Sequence, residues 1–242
     1  MKKHVCLSLA IWLLGTTIVS AQAVSIDLAD EGSISARTLQ LFALITVLSL
    51  APGLAIMITC FPFIVTVLSI LRQAIGLQQA PPNMLIVSLA LFLTYFVMEP
   101  VFLAAWNDGL KPLTNDEIDA ETAFAATLAP FRSFMATRLD PDTFAAMASL
   151  RPDTANAVLS PDAPLSALVP SFLLSEISRA FQVGFLIFMP FLIIDLVVAA
   201  VLMSMGMMMV PPAIVSLPFK LAFFVIADGW ALIAGSLVRS YF

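Results

Sequence analysis

From Phe181 to Leu237 the chain is almost continuously apolar, interrupted at its middle by Met205-Gly206-Met207-Met208-Met209-Val210-Pro211-Pro212. Glycine and a proline pair punctuate helices, so the stretch predicts a helical hairpin with the methionines at its tip. One arm holds Asp195 and the other Lys220, each about twelve residues from the tip and so at similar depth on facing arms. A lone charge in hydrocarbon costs roughly 2.5–3.5 kcal/mol on insertion scales, and an opposite charge at matching depth is the expected remedy. The pattern describes a membrane-embedded assembly element with a soft, sulfur-lined tip, not a soluble domain.

Composition agrees. Of 242 residues, 61% are hydrophobic and only 11% charged, and the apolar runs are too long for the core helices of a globular fold. The N-terminus has a secretory signal pattern: Lys2 and Lys3, an apolar stretch from Val5 to about Val19, then small residues at Ala21 and Ala23 that suit cleavage after either one. A retained first transmembrane helix is the alternative. Cleavage within residues 1–23 removes His4 and Cys6 and leaves Cys60 as the one cysteine. No intrachain disulfide, His/Cys zinc site, histidine base or Cys–His nucleophile is then expected, nor any cofactor.

Four apolar segments follow: about Leu39 to Leu71, Met84 to Trp106, Phe172 to Met205, and Ala213 to Leu237. A span needs ~20 apolar residues, so the first and third are too long for upright crossings. Pro52, Pro62 and Pro190 should kink or divide them, and Glu99, beside Pro100, marks a helix end. The expected architecture is an all-α membrane protein. Two kinked hairpins (24–106 and 169–242) are joined by an acidic, partly helical insert (107–168). From Asp108 to Pro164 the insert carries nine acidic and four basic residues, which places it on the periplasmic side. Arg72, in the first short connection, supports the cytoplasmic assignment there. Within the insert, Thr114-x-x-Glu117 predicts a capping box for a helix reaching about Thr137, with Phe124, Leu128, Phe131 and Met135 on one face. Asp140-Pro141 predicts a second helix start.

Longer motifs then stand out. Ala180-Phe181-Gln182-Val183-Gly184-Phe185, Pro190-Phe191-Leu192-Ile193-Ile194-Asp195-Leu196-Val197-Val198, the methionine–proline tip, Leu217-Pro218-Phe219-Lys220-Leu221 and Asp228-Gly229-Trp230 resemble the FliP family of type III export-gate membrane proteins. So do Leu71-Arg72-Gln73-Ala74, Gln79-Ala80-Pro81-Pro82-Asn83, Leu89-Ala90-Leu91-Phe92-Leu93-Thr94 and, in the insert, Pro130-Phe131-Arg132-Ser133-Phe134-Met135. The resemblance covers nearly the whole chain after the signal. It implies a structural and gating subunit of the flagellar protein export channel in the bacterial inner membrane, within the basal body. It also implies a homo-oligomer assembled with FliQ and FliR, contacts with FlhB and FlhA, passage of unfolded flagellar substrates, surrounding membrane lipid, and no nucleic acid. The hairpins would sit bent and partly above the bilayer plane, and Met207, Met208 and Met209 would act as a pore gasket.

The residues support part of this independently. Five of the twelve methionines fall between Met203 and Met209. Methionine fills irregular gaps, but three consecutive ones cannot all face one side of a helix. Asp195 and Lys220 read as register-holding charges, within one subunit or between two. Glu176 and Arg239, also nearly equidistant from the tip, could form a second rung, with Arg179 beside Glu176. Asp228 has no obvious mate and could cap a break at Gly229 or meet a partner chain. Two other functions compete: an ion or proton transporter relaying through Asp195 and Asp228, and an intramembrane aspartyl protease using both. Against the protease, the two depths differ by about eight residues, ~12 Å along a helix.

Overall fold

The computed structural model describes residues 31–77, 81–207 and 209–242. The expected signal segment, 1–23, lies outside them. The chain is an all-α membrane protein with no strand among the described residues. It divides into two units, at Ser49–Leu50 inside the first helix.

Helix α1 (Glu31–Met57) leaves Leu39, Phe42, Leu44, Ile45 and Leu48 all exposed. The first apolar segment is indeed divided: α1 stops at Met57, and α2 (Phe61–Ile75) restarts with Pro62 in its first turn, where a missing N–H costs nothing. Phe63, Ile64, Val67, Leu68 and Leu71 of α2 are essentially inaccessible. At 15 residues it is a core element, too short to cross a bilayer. It ends at Gly76, whose φ of 86° is the left-handed conformation glycine adopts cheaply at a helix C-terminus.

Helix α3 (Asn83–Ala105) runs straight past Glu99-Pro100, so Glu99 does not mark a helix end. Pro100 removes one backbone donor, and the partner carbonyl four residues earlier goes without it while the helix continues. A π-helical turn at Trp106–Leu110 then leads into the short α4 (Lys111–Thr114). This continuation overturns the expected capping box. Thr114 closes α4, and α5 (Ala120–Arg138) is capped by Asp119, which accepts from the Glu121 amide at 3.3 Å and the Thr122 hydroxyl at 2.5 Å. Aspartate is the stronger N-cap. The expected face of α5 also differs: Met135 is buried and Phe131 half-buried, but Phe124 is exposed and Ala123 takes the inner position. Helix α6 (Pro141–Ser149) starts at Asp140 as expected, the carboxylate accepting from the Thr143 amide at 2.9 Å and its hydroxyl at 2.7 Å.

Helix α7 (Leu165–Ser204) spans 40 residues, and neither Pro170 nor Pro190 divides it. Its length of ~60 Å is about twice the hydrocarbon thickness of a bilayer. One end packs with α5 and α6 in a small core of Met135, Leu139, Phe144, Leu168 and Phe172. Farther along, α2 lies against it in the main core, with Ala180 and Phe191 facing Phe63 and its neighbours. Arg132 ties α5 to the chain entering α7 by donating to the carbonyls of Pro161 and Ala163 at 3.1 and 3.0 Å.

The fourth apolar segment is not one helix. Helix α8 (Pro212–Ile226) and α9 (Gly229–Arg239) meet at a 60° bend. The turn is made by Asp228, a non-glycine residue at φ 48°. Gly229 follows because a Cβ there would overlap the Phe224 ring. By length and composition two helical stretches among the described residues can cross a membrane, Asn83–Thr114 and Leu165–Ser204, or three if α8 and α9 count as one.

Hydrogen bonds from Thr122 and Thr143 hold the Asp119 and Asp140 carboxyls below the ordinary aspartate value. The folded state therefore binds the proton less readily than the unfolded one. This stability is fully present above about pH 3.9 and is lost as pH falls through the depressed folded values. Amide exchange in the first turns of α5 and α6 should rise in that acid window. It should stay flat in Asp119→Asn and Asp140→Asn, which keep a capping oxygen without a titrating group.

Candidate functional site

Lys220 sits on α8 with its ammonium directed between two acceptors. Its Nζ lies 2.6 Å from Asp195 Oδ2 on α7 and donates to the backbone carbonyl of Ala74 at 3.2 Å. The second Asp195 oxygen accepts from the Ser216 hydroxyl at 2.5 Å. Lys220 is 6% exposed, and the Asp195 side chain is a third exposed. The ammonium thus neutralises a carboxylate and also caps the C-terminus of α2, where orphan carbonyls and the helix dipole favour a cation. Sequence depth placed Asp195 beside Lys220; it did not show α2. Two signals were available: Ser216 is one turn before Lys220 on the same face, and Gly76 is a helix-ending glycine that leaves carbonyls open.

The second set of charges is assembled differently from the expected rung. Glu176, fully buried, does not meet Arg239. Its carboxylate lies 3.4 Å from Arg138 and 3.5 Å from Arg179, and it accepts from the Tyr241 hydroxyl. Arg138 stands 4.0 Å over the Tyr241 ring and donates to the Ser240 carbonyl at 2.8 Å. Phe134 stacks on that ring, and Phe63 meets it edge-on. One buried carboxylate therefore joins α5, α7 and the residues after α9. Arg138 was missed because it lies in the insert, far from the apolar pattern, and a tyrosine after a helix end carries no periodic signal. Arg239 forms no ion pair among the described residues; its side chain lies back over Gly235.

Between α7 and α8 the methionine tip is open. Met203 is 61% exposed, Met205 66%, Met207 38% and Met209 97%; Met208 lies outside the described residues. Gly206, at φ 76°, turns the chain so that the Met207 amide donates back to the Leu202 carbonyl at 3.0 Å. In contrast, Met98 and Met135 are sealed in the cores.

Asp228 is exposed at the α8–α9 bend and makes no side-chain cap, so it shapes the break by its backbone alone. Asp195 has both oxygens engaged by Lys220 and Ser216, and Asp228 is not part of that network. Arg72, near the end of α2, donates to the Asn83 side chain at the start of α3, joining the two ends of the first connection. No cluster of three or more His, Cys, Asp or Glu suited to a metal occurs among the described residues.

Comparison with known proteins agrees with this sequence pattern. The FliP family model matches residues 44–237. The chain is 48% identical to the flagellar biosynthetic protein FliP of Caulobacter vibrioides over 97% of this chain and 88% of that protein. It is 45% identical to that of Bacillus subtilis over 88% of this chain and 96% of that protein. It is 42% identical to that of Aquifex aeolicus over 97% and 98%. With most of its length matched by the family and by relatives from distant bacteria, the chain belongs to the FliP family.

Proposed function

We propose that this chain is a structural and gating subunit of the flagellar type III protein export channel in the inner membrane. The observation that carries the gate reading is the exposed methionine tip, set between two apolar helices of a chain that belongs to the FliP family. Thioether side chains are unbranched and polarizable. A ring of such tips from several copies closes around itself against ions and yields to an unfolded chain. Met207, Met208 and Met209 form the gasket in this reading.

Several copies assemble with FliQ and FliR, and FlhB and FlhA complete the surroundings. The chain is organised as a cleaved signal (1–23), a first kinked hairpin (24–106), a periplasmic insert (107–168) and a second hairpin (169–242). Arg72 marks the cytoplasmic side. Asp195 with Lys220, and Glu176 with Arg179, hold the subunit in the shape that assembles; Asp228 and Arg239 remain available for neighbours. The 60° bend between α8 and α9, and an α7 twice as long as a bilayer is thick, support bent arms that rise out of the membrane plane.

Native mass spectrometry of this protein co-expressed with FliQ and FliR should give a defined complex with several copies of this chain. A lone monomer or dimer that ignores both partners would sink the reading. Within the complex, Ala at 207, 208 and 209 should leave assembly intact and raise ion leak across a planar bilayer, and unchanged conductance would exclude the gasket. Breaking a buried pair on one side costs roughly 3–5 kcal/mol, less here because Asp195 is partly solvated. Lys220→Ala should therefore impair assembly more than Asp195→Ala, since it also uncaps α2. The double variant should assemble better than Lys220→Ala; if it does no better than either single change, the pair is not direct.

A further inference from the structure

Along α3 the buried residues Ile86, Ala90, Thr94, Val97 and Met98 share one side, and the opposite side is turned outward. Leu85, Phe92, Tyr95, Phe96, Leu103 and Trp106 recur there at helical spacing, each at least half exposed. An apolar stripe alone suits lipid as well as protein. Glu99 decides between them. It is exposed within the stripe, is the one charged residue from Asn83 to Trp106, and forms no ion pair among the described residues. A carboxylate on a spanning helix is expensive to leave facing hydrocarbon, and such groups turn to protein and pair. The stripe therefore calls for a covering surface that brings a cation.

The chain itself carries a suitable one. Two exposed basic side chains lack a carboxylate partner among the described residues, Lys111 and Arg239. Lys111 follows Glu99 by twelve residues, roughly 18 Å at helical rise, and is out of reach at that level. Arg239 is at the level of Glu99. Pro100, next to Glu99, and Tyr241, two residues after Arg239, line one cavity of about 370 Å³. Each charge also points away from its own core: Glu99 lies opposite the buried side of α3, and Arg239 opposite Ile233 and Leu237 on α9. Arg239 lies back over Gly235, and swinging outward from there breaks no ion pair among the described residues.

Copies of one chain related by rotation about the membrane normal keep every residue at the same depth. Only groups at equal level can then meet between them, and Glu99 and Arg239 satisfy that condition. We propose that Arg239 of one copy holds Glu99 of the next, so that the outer stripe of α3 is a surface on which copies meet. The contact joins two different surfaces, so it is head-to-tail, and its repetition gives a ring or a helical row. The inference rests on the several-copy assembly proposed above and names a contact within it.

The test uses the full chain co-expressed with FliQ and FliR. One population carries Glu99→Cys, a second with a different tag carries Arg239→Cys, and both are treated with a short thiol-reactive cross-linker. Cys60 is buried and does not compete. A cross-linked dimer with one copy of each tag should form, and neither population alone should give it. In native mass spectrometry, Glu99→Arg and Arg239→Glu should each lower the multi-copy complex at least about tenfold, and the chain carrying both should recover it. Both positions are exposed, so each variant should keep the helical signal of the unaltered chain. A multi-copy complex without the mixed cross-link would overturn this contact and leave the assembly reading standing. So would a cross-link from Glu99→Cys to either co-expressed partner, or one that forms only when both cysteines are on one chain. Absence of any multi-copy complex from the unaltered chain would sink both readings.

Discussion

The ammonium of Lys220 is the point on which the arrangement of the helices depends. It satisfies a carboxylate on α7 and the open carbonyl end of α2 at once, so three helices from both halves of the chain meet at one charge. Burying a single charge in such a setting costs several kcal/mol, and pairing with good geometry plus an extra hydrogen bond is what makes it tolerable. Ser216 completes the set by occupying the second carboxylate oxygen. Both Asp195 oxygens are engaged by Lys220 and Ser216, and Asp228, the second carboxylate of the relay and dyad alternatives, stands outside that network.

At the opposite end of the core, Glu176 does comparable work with different partners. It gathers Arg138, Arg179 and Tyr241, and the aromatic rings of Phe63 and Phe134 close over the assembly. Both charged centres lie on α7, at Glu176 and Asp195, and α2 is packed against the stretch between them. The chain thus solves a problem common to apolar helix bundles. Hydrophobic burial in a membrane gives little direction, because lipid is as apolar as the neighbouring helix. A few buried charges therefore specify which helix ends meet.

Much of this was legible in the residues, and the losses have identifiable causes. The Asp195–Lys220 contact followed from equal distance to a recognisable tip. The start of α6 followed from Asp140-Pro141, and the division of the first apolar segment from Pro62. Proline misled elsewhere, because its cost is local and a long packed helix absorbs it. Pro100 and Pro190 sit inside continuous helices, while the fourth segment breaks at Asp228–Gly229, one of the two alternatives that Asp228 offered. The capping box at Thr114 failed because α3 continued through a π turn that the pattern does not encode. Depth matching failed for Glu176 and Arg239 because it treated the second pair of arms as isolated. The true partners come from the insert and the chain end, contacts distant in sequence and invisible to periodicity.

The length of α7 has a mechanical consequence. The insert helices clamp one end, the methionine tip leaves from the other, and no loop interrupts the 40 residues between. A rod of this kind acts as a lever: a small rotation where α5 and α6 grip it becomes a larger sweep at the far end. Its compliance is concentrated at Pro170 and Pro190, where backbone bonds are missing. Pro170 lies within the clamped region, so Pro190 is the one elastic joint between the grip and the tip. Displacement at the insert helices and displacement at the methionine tip are then linked through stiffness alone, without a chain of switching side chains.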